Sequence, residues 1–483
     1  MWKKIGLIIL TVVVVFFIAT ITLTILQKTK QPEVKKVAVA IDENKALNHL
    51  SQSITFQTIS YDDRTKINFK PYDEFLSFLE KTYPHVYDEL DVKHINDYSV
   101  VFKWKGQSSD APIGLMAHYD VVPVAKGTEK NWEQPPFSGV IDDKYVWGRG
   151  TLDDKVGVIG ILEAVNHLLA EGHKPAQDLY LLFGHDEEIG GDEGAAKIVA
   201  YLEKEGIHLR YVLDEGGVIV EDMVPGVSES IGVIGIAEKG SANATLTVEG
   251  SGGHSSQPKD VTTLGRLAHA ISALEETQFP SDIQGPTKEM FTYVTPEMSF
   301  GYRYVFANQW LFKPIIKSIL LDKPATAAVT RTTIAPTVLT AGDKTNILPE
   351  KATATINMRV IPGDTLDSLK KEIEKIIDDN QVQVHVEGEV ASSVSKTDNA
   401  AFKEIQQAVL ATHDNTVTTP YIMIGGSDAK HYQDVADDTY RFLPIAMEKD
   451  GLERMHGTNE RIEKQAFIDA ISFYVTLIKN NMN

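Results

Sequence analysis

The chain has 483 residues, 43% of them hydrophobic and 24% charged, with a formal net charge of -20. That length exceeds one simple core and fits two or three domains, and the composition excludes wholesale disorder. The acidity argues against nucleic acid as the main partner, because phosphate binding needs a basic face; the absence of cysteine excludes disulfides, thiolate metal sites and a cysteine nucleophile.

Met1-Trp2-Lys3-Lys4 precedes a charge-free, largely apolar stretch, residues 5–26. About 20 such residues span a bilayer, whereas a signal-peptide core has about 7–15. No small-x-small cleavage site follows, so residues 1–26 read as a retained membrane anchor, with a cleaved signal and secretion as the alternative. Lys3 and Lys4 favour a cytoplasmic N-terminus, although Lys28, Lys30, Lys35 and Lys36 follow closely. The short tail places the body outside the cytoplasm. Residues 27–44 form a linker, and the globular part begins near Lys45.

Residues 113–119 are a short apolar run between Pro112 and Asp120, as for a buried strand. Residues 156–170 have helical periodicity and end at Gly172; 179–184 read as a strand, 193–205 as a helix and 211–213 as a strand. This alternation predicts an α/β fold with a largely parallel sheet flanked by helices, its ligands gathered beyond the carboxyl ends of the strands. From about residue 239 the pattern changes. Residues 242–249 alternate like a half-buried strand, 261–276 form an amphipathic helix, 279–324 are poorly patterned and 351–360 alternate again. Residues 365–379 and 466–479 are amphipathic helices. Because His456 returns so late, the expected organisation is a catalytic domain in two pieces, 45–238 and 356–483, around an inserted α+β lid or dimerisation domain, 239–355.

Short motifs follow one another: HYD at 118–120, GRGTLDDK at 148–155, DEEIGG at 186–191, DEGG at 214–217 and HG at 456–457. Divalent cations such as zinc take imidazole nitrogen and carboxylate oxygen. Each motif alone is weak, but in this order they read as a two-metal hydrolase site. His118 and Asp120 lie two apart on a strand and project to one side. His118 is then a ligand and Asp120 the carboxylate that fixes its tautomer; seen alone, the pair would merely cap a turn. Asp153 is the bridging ligand, since a carboxylate spans cations about 3.5–4 Å apart, and Asp154 reads as a helix N-cap. Glu187 and Glu188 give a general base and a ligand on one loop; a solvated acidic loop is the plain alternative. Asp214 or Glu215 adds an oxygen ligand, with Asp214 favoured, and His456 serves the second metal.

With these motifs the chain resembles the di-zinc aminoacylase/carboxypeptidase family, and most of all its carboxypeptidase S branch, which includes secreted N-acyl-amino-acid hydrolases. HYDVVP, WGRGTLDDK, DEEIGG, DEGG and GGHSS carry the resemblance, which covers roughly Lys45 to the C-terminus. It implies two zinc ions, with Co2+ or Mn2+ as substitutes. Asp153 would bridge them, His118 and Asp214 (or Glu215) would hold one, and Glu188 and His456 the other. It also implies a cis peptide after Asp153 and an inserted lid that mediates homodimers. By the same resemblance His254 stabilises a tetrahedral oxyanion across the dimer interface, Arg359 grips the substrate's carboxylate, and Asn346 and Gly426 lie beside the substrate. Departures are few: Lys155-Val156-Gly157 replaces the more usual Lys-Gly-Gly, and His185 is an extra titratable group without a readable role.

The expected reaction is hydrolysis of an amide next to a free carboxylate, on a peptide or an N-acyl amino acid, by activated water and without a covalent intermediate. A non-catalytic receptor or interaction ectodomain on the same scaffold is the rival; it predicts a lost base or lost ligands, and none is missing. Residues 291–321, rich in apolar side chains, suit an acyl channel, a lid core or a dimer contact.

Overall fold

The computed structural model describes residues 2–258 and 260–480, so the first residue of the expected anchor and the last three of the catalytic segment lie outside the described residues. The short apolar runs become the centre of the main sheet. Ser108–His118 pairs in parallel with Gln177–Gly184 on one side and Tyr211–Asp214 on the other, and Thr439–Arg441 continues the set beyond Tyr211–Asp214. Strands buried on both faces read as continuous apolar runs rather than alternating ones. Both flanks depart from parallel: Ser99–Trp104 joins Gln177–Gly184 antiparallel, and Ser230–Glu238 runs against Thr439–Arg441. Among the described residues the sheet has nine strands, mixed overall with the parallel set in the middle.

Helices cover both faces. Glu43–Ile54, Lys155–Ala170, Ala400–Thr412 and Lys464–Asn480 share a core with Leu115, Leu181 and Phe183. Ala195–Lys204 packs Ile198 and Leu202 on the opposite face against Met116, Tyr180 and Val212. Asp154 caps the buried helix Lys155–Ala170, its side chain accepting the Gly157 N–H at 3.2 Å.

A second, antiparallel sheet has the order Thr333–Ala341, Lys351–Val360, Gly240–Glu249, Val382–Gly388. The alternation of Gly240–Glu249 buries Ala242, Ala244, Leu246 and Val248 in a core shared with helices Thr263–Glu276 and Leu366–Ile377. The expected boundary at 355/356 therefore falls inside a strand. Register continues unbroken through Ile356, Met358 and Val360, and Leu369, Ile373, Val382 and Val384 fill the same second core.

The poorly patterned stretch is helical: Gly285–Val294, Phe300–Ala307, Gln309–Leu321 and Pro324–Ala328. These helices pack Met290, Phe291, Phe306, Ile316 and Leu320 against Val224, Ile231, Val233 and Val417 of the main body, not against the second sheet. At the N-terminus Trp2–Ile25 is a single helix of 24 residues, long and apolar enough to cross a membrane. The linker that follows is strapped to the body. The Gln31 side chain bonds the backbone of Thr418, and Val37 N–H donates to the Ala411 carbonyl.

Truncating the second core with Ile373→Ala should cost about 2–5 kcal/mol in chemical denaturation. A neutral result would put helix Leu366–Ile377 outside that core.

Candidate active site

The parallel strands end on one edge of the sheet, and each delivers a polar group there. His118 is the last residue of Ser108–His118, Glu187 and Glu188 follow Gln177–Gly184, Asp214 closes Tyr211–Asp214, and Arg441 closes Thr439–Arg441. His118 Nε2 lies 2.9 Å from Asp153 Oδ1, and its Nδ1 lies 3.1 Å from the Asp120 carbonyl oxygen and 3.2 Å from Asp120 Oδ1. Asp120 is fully buried. Its Oδ1 accepts the Glu187 N–H at 3.1 Å; its Oδ2 accepts the Glu188 N–H at 3.3 Å and the Ser60 hydroxyl at 2.6 Å. One carboxylate thus fixes both the His118 ring and the loop that bears the two glutamates. That loop is a short 3₁₀ turn, Glu187–Ile189, closed by Gly190 and Gly191 at φ 104° and 75°. A Cβ on Gly191 would collide with the Asp428 carboxylate, so glycine is required there for space as well as conformation.

Asp153 lies between two histidines: Oδ1 faces His118, and Oδ2 is 2.8 Å from His456 Nε2. The Asp153–Asp154 peptide is cis. His456 Nε2 is also 3.1 Å from Glu188 Oε2, and Glu188 Oε1 is buried with no hydrogen-bond partner among the described residues. His118, Asp153 and Glu188 offer ligand atoms within 4.8 Å of one another. Imidazole nitrogens and carboxylate oxygens converging on an unsatisfied buried oxygen fit a divalent cation.

Two buried residues hold the late His456 loop against Asp153. Arg149 Nη1 donates to Glu460 Oε2 at 2.5 Å, and Nη2 donates to the carbonyls of His456 and Gly457 at 3.2 and 3.0 Å. Glu460 Oε1 accepts the N–H groups of Gly150 and Leu152 at 2.8 and 2.9 Å. The antiparallel ribbon of Tyr145–Trp147 and Arg461–Glu463 continues the clamp. Arg149 lies inside a sequence motif and Glu460 three residues past another, but nothing in the sequence marks them as partners.

The cavity over this cluster has a volume of about 920 Å³. Asp153, Glu187, Glu188, Glu215, Asp428 and His456 line its polar end, and Val218, Val220, Met223, Val233, Tyr421 and Met423 an apolar wall. Asp214 is buried with Oδ2 accepting the Ala429 N–H at 2.8 Å, and Glu215 is the neighbour that faces the cavity. Asp428, two residues past Gly426, also joins the polar end. Arg359 reaches the cavity from the second sheet, and Gly426 lies on its rim. His254 and Asn346 do not line it. They sit exposed beside each other on the ribbon of Gly253–His254 and Ile347–Leu348, where Ser255 N–H donates to the Asn346 carbonyl at 3.1 Å. His185 is a structural histidine, buried with Nδ1 2.7 Å from the Ser99 hydroxyl, and burial lowers its pKa.

Burial pushes up the carboxyl groups of Glu187, Glu188, Glu215 and Asp428, and neighbouring carboxylates add to the effect. For Asp153 burial works upward too, but the two imidazoles outweigh it and hold the group well below the usual carboxylate range. Burial alone would lower His118, yet Asp120 and Asp153 hold it well above the ordinary histidine value. His456, bonded to Asp153 and Glu188, is pushed up to about 10.

Glu460→Ala would leave Arg149 buried without its carboxylate. It should cost about 3–5 kcal/mol by chemical denaturation, and no loss would show that the clamp is dispensable. In the metal-free chain the raised groups hold protons more tightly folded than unfolded. Their stabilisation is complete below the unfolded values, about 4.3 for Glu and 6.5 for His, and is lost as pH rises through the folded values. The thermal midpoint of chelator-treated protein should therefore fall from neutral pH toward the His456 value of about 10. Added zinc should restore it. A midpoint that rises across that window would contradict this electrostatic picture.

A profile of the peptidase family M20/M25/M40 matches residues 114–480. The chain is 38% identical over 471 residues to probable carboxypeptidase S-like 2 of Dictyostelium discoideum, covering 95% of this chain and 90% of that one. It is 37% identical over 485 residues to N-fatty-acyl-amino acid synthase/hydrolase PM20D1 of Xenopus tropicalis, covering 99% and 94%. Among solved structures, the M20 family metallo-carboxypeptidase Sso-CP2 of Sulfolobus solfataricus superposes with a TM-score of 0.62 at 18% identity, covering 90% of this chain and 99% of that one. The strand-end cluster of histidines and carboxylates is the candidate site, and the chain belongs to the peptidase family M20/M25/M40.

Proposed function

We propose that the chain hydrolyses the amide bond of N-acyl amino acids with a long apolar acyl group, the free carboxylate lying beside the scissile bond. The carrying observation is one cavity that joins the histidine–carboxylate cluster to the apolar wall of Val218, Val220, Met223, Val233, Tyr421 and Met423. Apolar surface predominates along that wall, although Glu221, Asp222 and Lys449 also line the cavity, and an acyl chain buries its methylenes there. The relative named N-fatty-acyl-amino acid synthase/hydrolase supports this reading. The carboxypeptidase S-like relative supports the peptide alternative.

The donor set suits two divalent cations, zinc with Co2+ or Mn2+ as substitutes. Asp153, whose two oxygens face different histidines, would bridge; His118 and Glu215 would hold one ion, Glu188 and His456 the other. Bound there, such ions supply polarisation of the amide carbonyl and acidify water. The protein's own residues do the rest. Glu187, at the cavity surface, takes the proton of the attacking water and returns it to the leaving nitrogen. Asp120 keeps His118 oriented and the glutamate loop in place. Arg359 offers its fork to the substrate carboxylate, and Gly426 leaves room beside it. His254 and Asn346, outside the wall of their own chain, would serve the site of a second copy, which supports a homodimer through the inserted sheet. Trp2–Ile25 reads as a retained anchor with the body outside the cytoplasm. The intact ligand set and Glu187 leave the non-catalytic ectodomain without support.

The test uses the zinc-loaded full chain and its Glu187→Ala variant on N-long-acyl amino acids, N-acetyl amino acids and short peptides. The variant should keep its metal and lose about 10²–10⁴-fold in kcat, and the wild type should prefer the long acyl group. Preference for peptides would return the carboxypeptidase reading, and an active variant would remove Glu187 as the base. Glu215→Gln should lose one of the two bound metal equivalents; full retention would return Asp214 as the ligand.

A further inference from the structure

The helix Gln309–Leu321 is apolar on two sides. Phe312, Ile316 and Leu320, spaced four apart, face the main body, and Ile316 and Leu320 are buried there. Leu311, Ile315 and Ile319, also four apart, face outward, Ile315 54% and Ile319 43% exposed, and Trp310, on the edge beside Lys317, is 64% exposed. Phe300 and Tyr302 of the preceding helix are exposed as well. Contiguous apolar surface of this kind marks contact with a partner or a membrane. Its lysines do not interrupt the stripe. Lys313 and Lys317 occupy a third face, and Lys313 pairs with Asp282 at 2.7 Å; lysines so placed carry their charge to the polar layer.

What identifies the occupant is the neighbour. Thr20 and Thr24 are the two residues buried along Trp2–Ile25, and both are covered by this helical pair. Thr20 Oγ1 lies 2.9 Å from the Tyr304 hydroxyl, and Asn308 Nδ2 donates to Thr24 Oγ1 at 3.1 Å and to the Thr20 carbonyl at 3.3 Å. Phe16 meets Trp310 edge to face, ring centres 5.9 Å apart. Arg303 donates to the Gln27 carbonyl just past the helix end, placing a cation where an anchor would leave the apolar layer. Phe16 lies about 14 Å along the helix from Ile25, close to half of a hydrocarbon layer about 30 Å thick. Side chains packed against residues 16–24 share that depth.

We propose that helices Phe300–Ala307 and Gln309–Leu321 are immersed in the outer half of the bilayer beside the anchor, as a collar whose partner is the lipid itself. The inference rests on reading Trp2–Ile25 as a retained anchor, and it extends the proposed function by giving acyl substrates a route. The body-facing side of the collar, through Ile316 and Leu320, belongs to the same apolar cluster as Val220, Met223, Val233 and Tyr421. Those four residues are also part of the apolar wall of the cavity. One apolar cluster therefore runs from the collar to the acyl end of the site, and the substrate is taken from the membrane rather than from water.

The absence of cysteine makes the test direct. Single cysteines replacing Ile315, Ile319 and, as a control on the second sheet, the exposed Val338 are labelled with a polarity-sensitive fluorophore in the full chain. The protein is placed in phosphatidylcholine vesicles carrying a spin-labelled lipid. The labels at 315 and 319 should shift to the blue and lose most of their emission, while that at 338 stays unchanged. The pair Ile315→Asp with Ile319→Asp should slow hydrolysis of a vesicle-borne N-long-acyl amino acid several-fold and leave a water-soluble N-acetyl amino acid unaffected. Unquenched labels at 315 and 319 on a chain that resists alkaline extraction would overturn the collar, as would protection that depends on a second copy. A chain released by alkaline extraction would overturn the anchor and the collar together. Failure of the zinc-loaded wild type to hydrolyse either substrate would remove the proposed function and the substrate route, and the quenching would still decide the collar.

Discussion

Too many carboxylates share too little space: that constraint organises the molecule. Asp120, Asp153, Glu187, Glu188, Glu215 and Asp428 crowd one edge of the sheet with little access to water. Removing a charge from water is costly unless a partner neutralises it. The fold satisfies some of these groups internally. Asp120 takes two backbone N–H groups and a hydroxyl, and Asp153 takes two imidazoles. Glu188 keeps a buried oxygen without a hydrogen bond, and Glu187, Glu215 and Asp428 are raised by burial. Protons or cations would settle that remainder, and a pocket that would otherwise hold protons suits divalent ions at neutral pH.

Geometry follows from the same need. Four parallel strands bring their ends to one edge, but Asp153 and His456 arrive on loops from distant parts of the chain. The buried pair Arg149–Glu460 locks those loops together, with the guanidinium also holding the carbonyls of His456 and Gly457. The second sheet then needs to deliver only Arg359 over the cavity, while its exposed ribbon carries His254 and Asn346 away from it. A histidine so placed serves chemistry only if another chain brings it in. The helices of residues 285–328 perform a different task, joining the cavity's apolar wall to the N-terminal helix.

Much of this was legible in the sequence because each strand end is a sharp transition from apolar to polar. His118, Asp120, Glu187 and Glu188 stand at such transitions and come together in space. Asp214 against Glu215 was not legible: Tyr211–Asp214 is buried on both faces, so no alternation says which neighbour turns to the cavity. The domain edge was misplaced for a similar reason. The helix Leu366–Ile377 has one clear apolar stripe, but a stripe does not name the sheet it covers. Residues 309–321 looked patternless because two stripes overlap on one helix. Arg149 and Glu460 are visible as residues but not as partners, since only the folded ribbon brings them together.

The most direct test of the account is calorimetric titration of chelator-stripped full-length chain with zinc at neutral pH, repeated in buffers of different ionisation enthalpy. The account predicts saturation at two equivalents per chain with net proton release, as the ions displace protons held by His118, His456 and the raised carboxyl groups. Absence of saturable binding, or saturation without proton release, would contradict it.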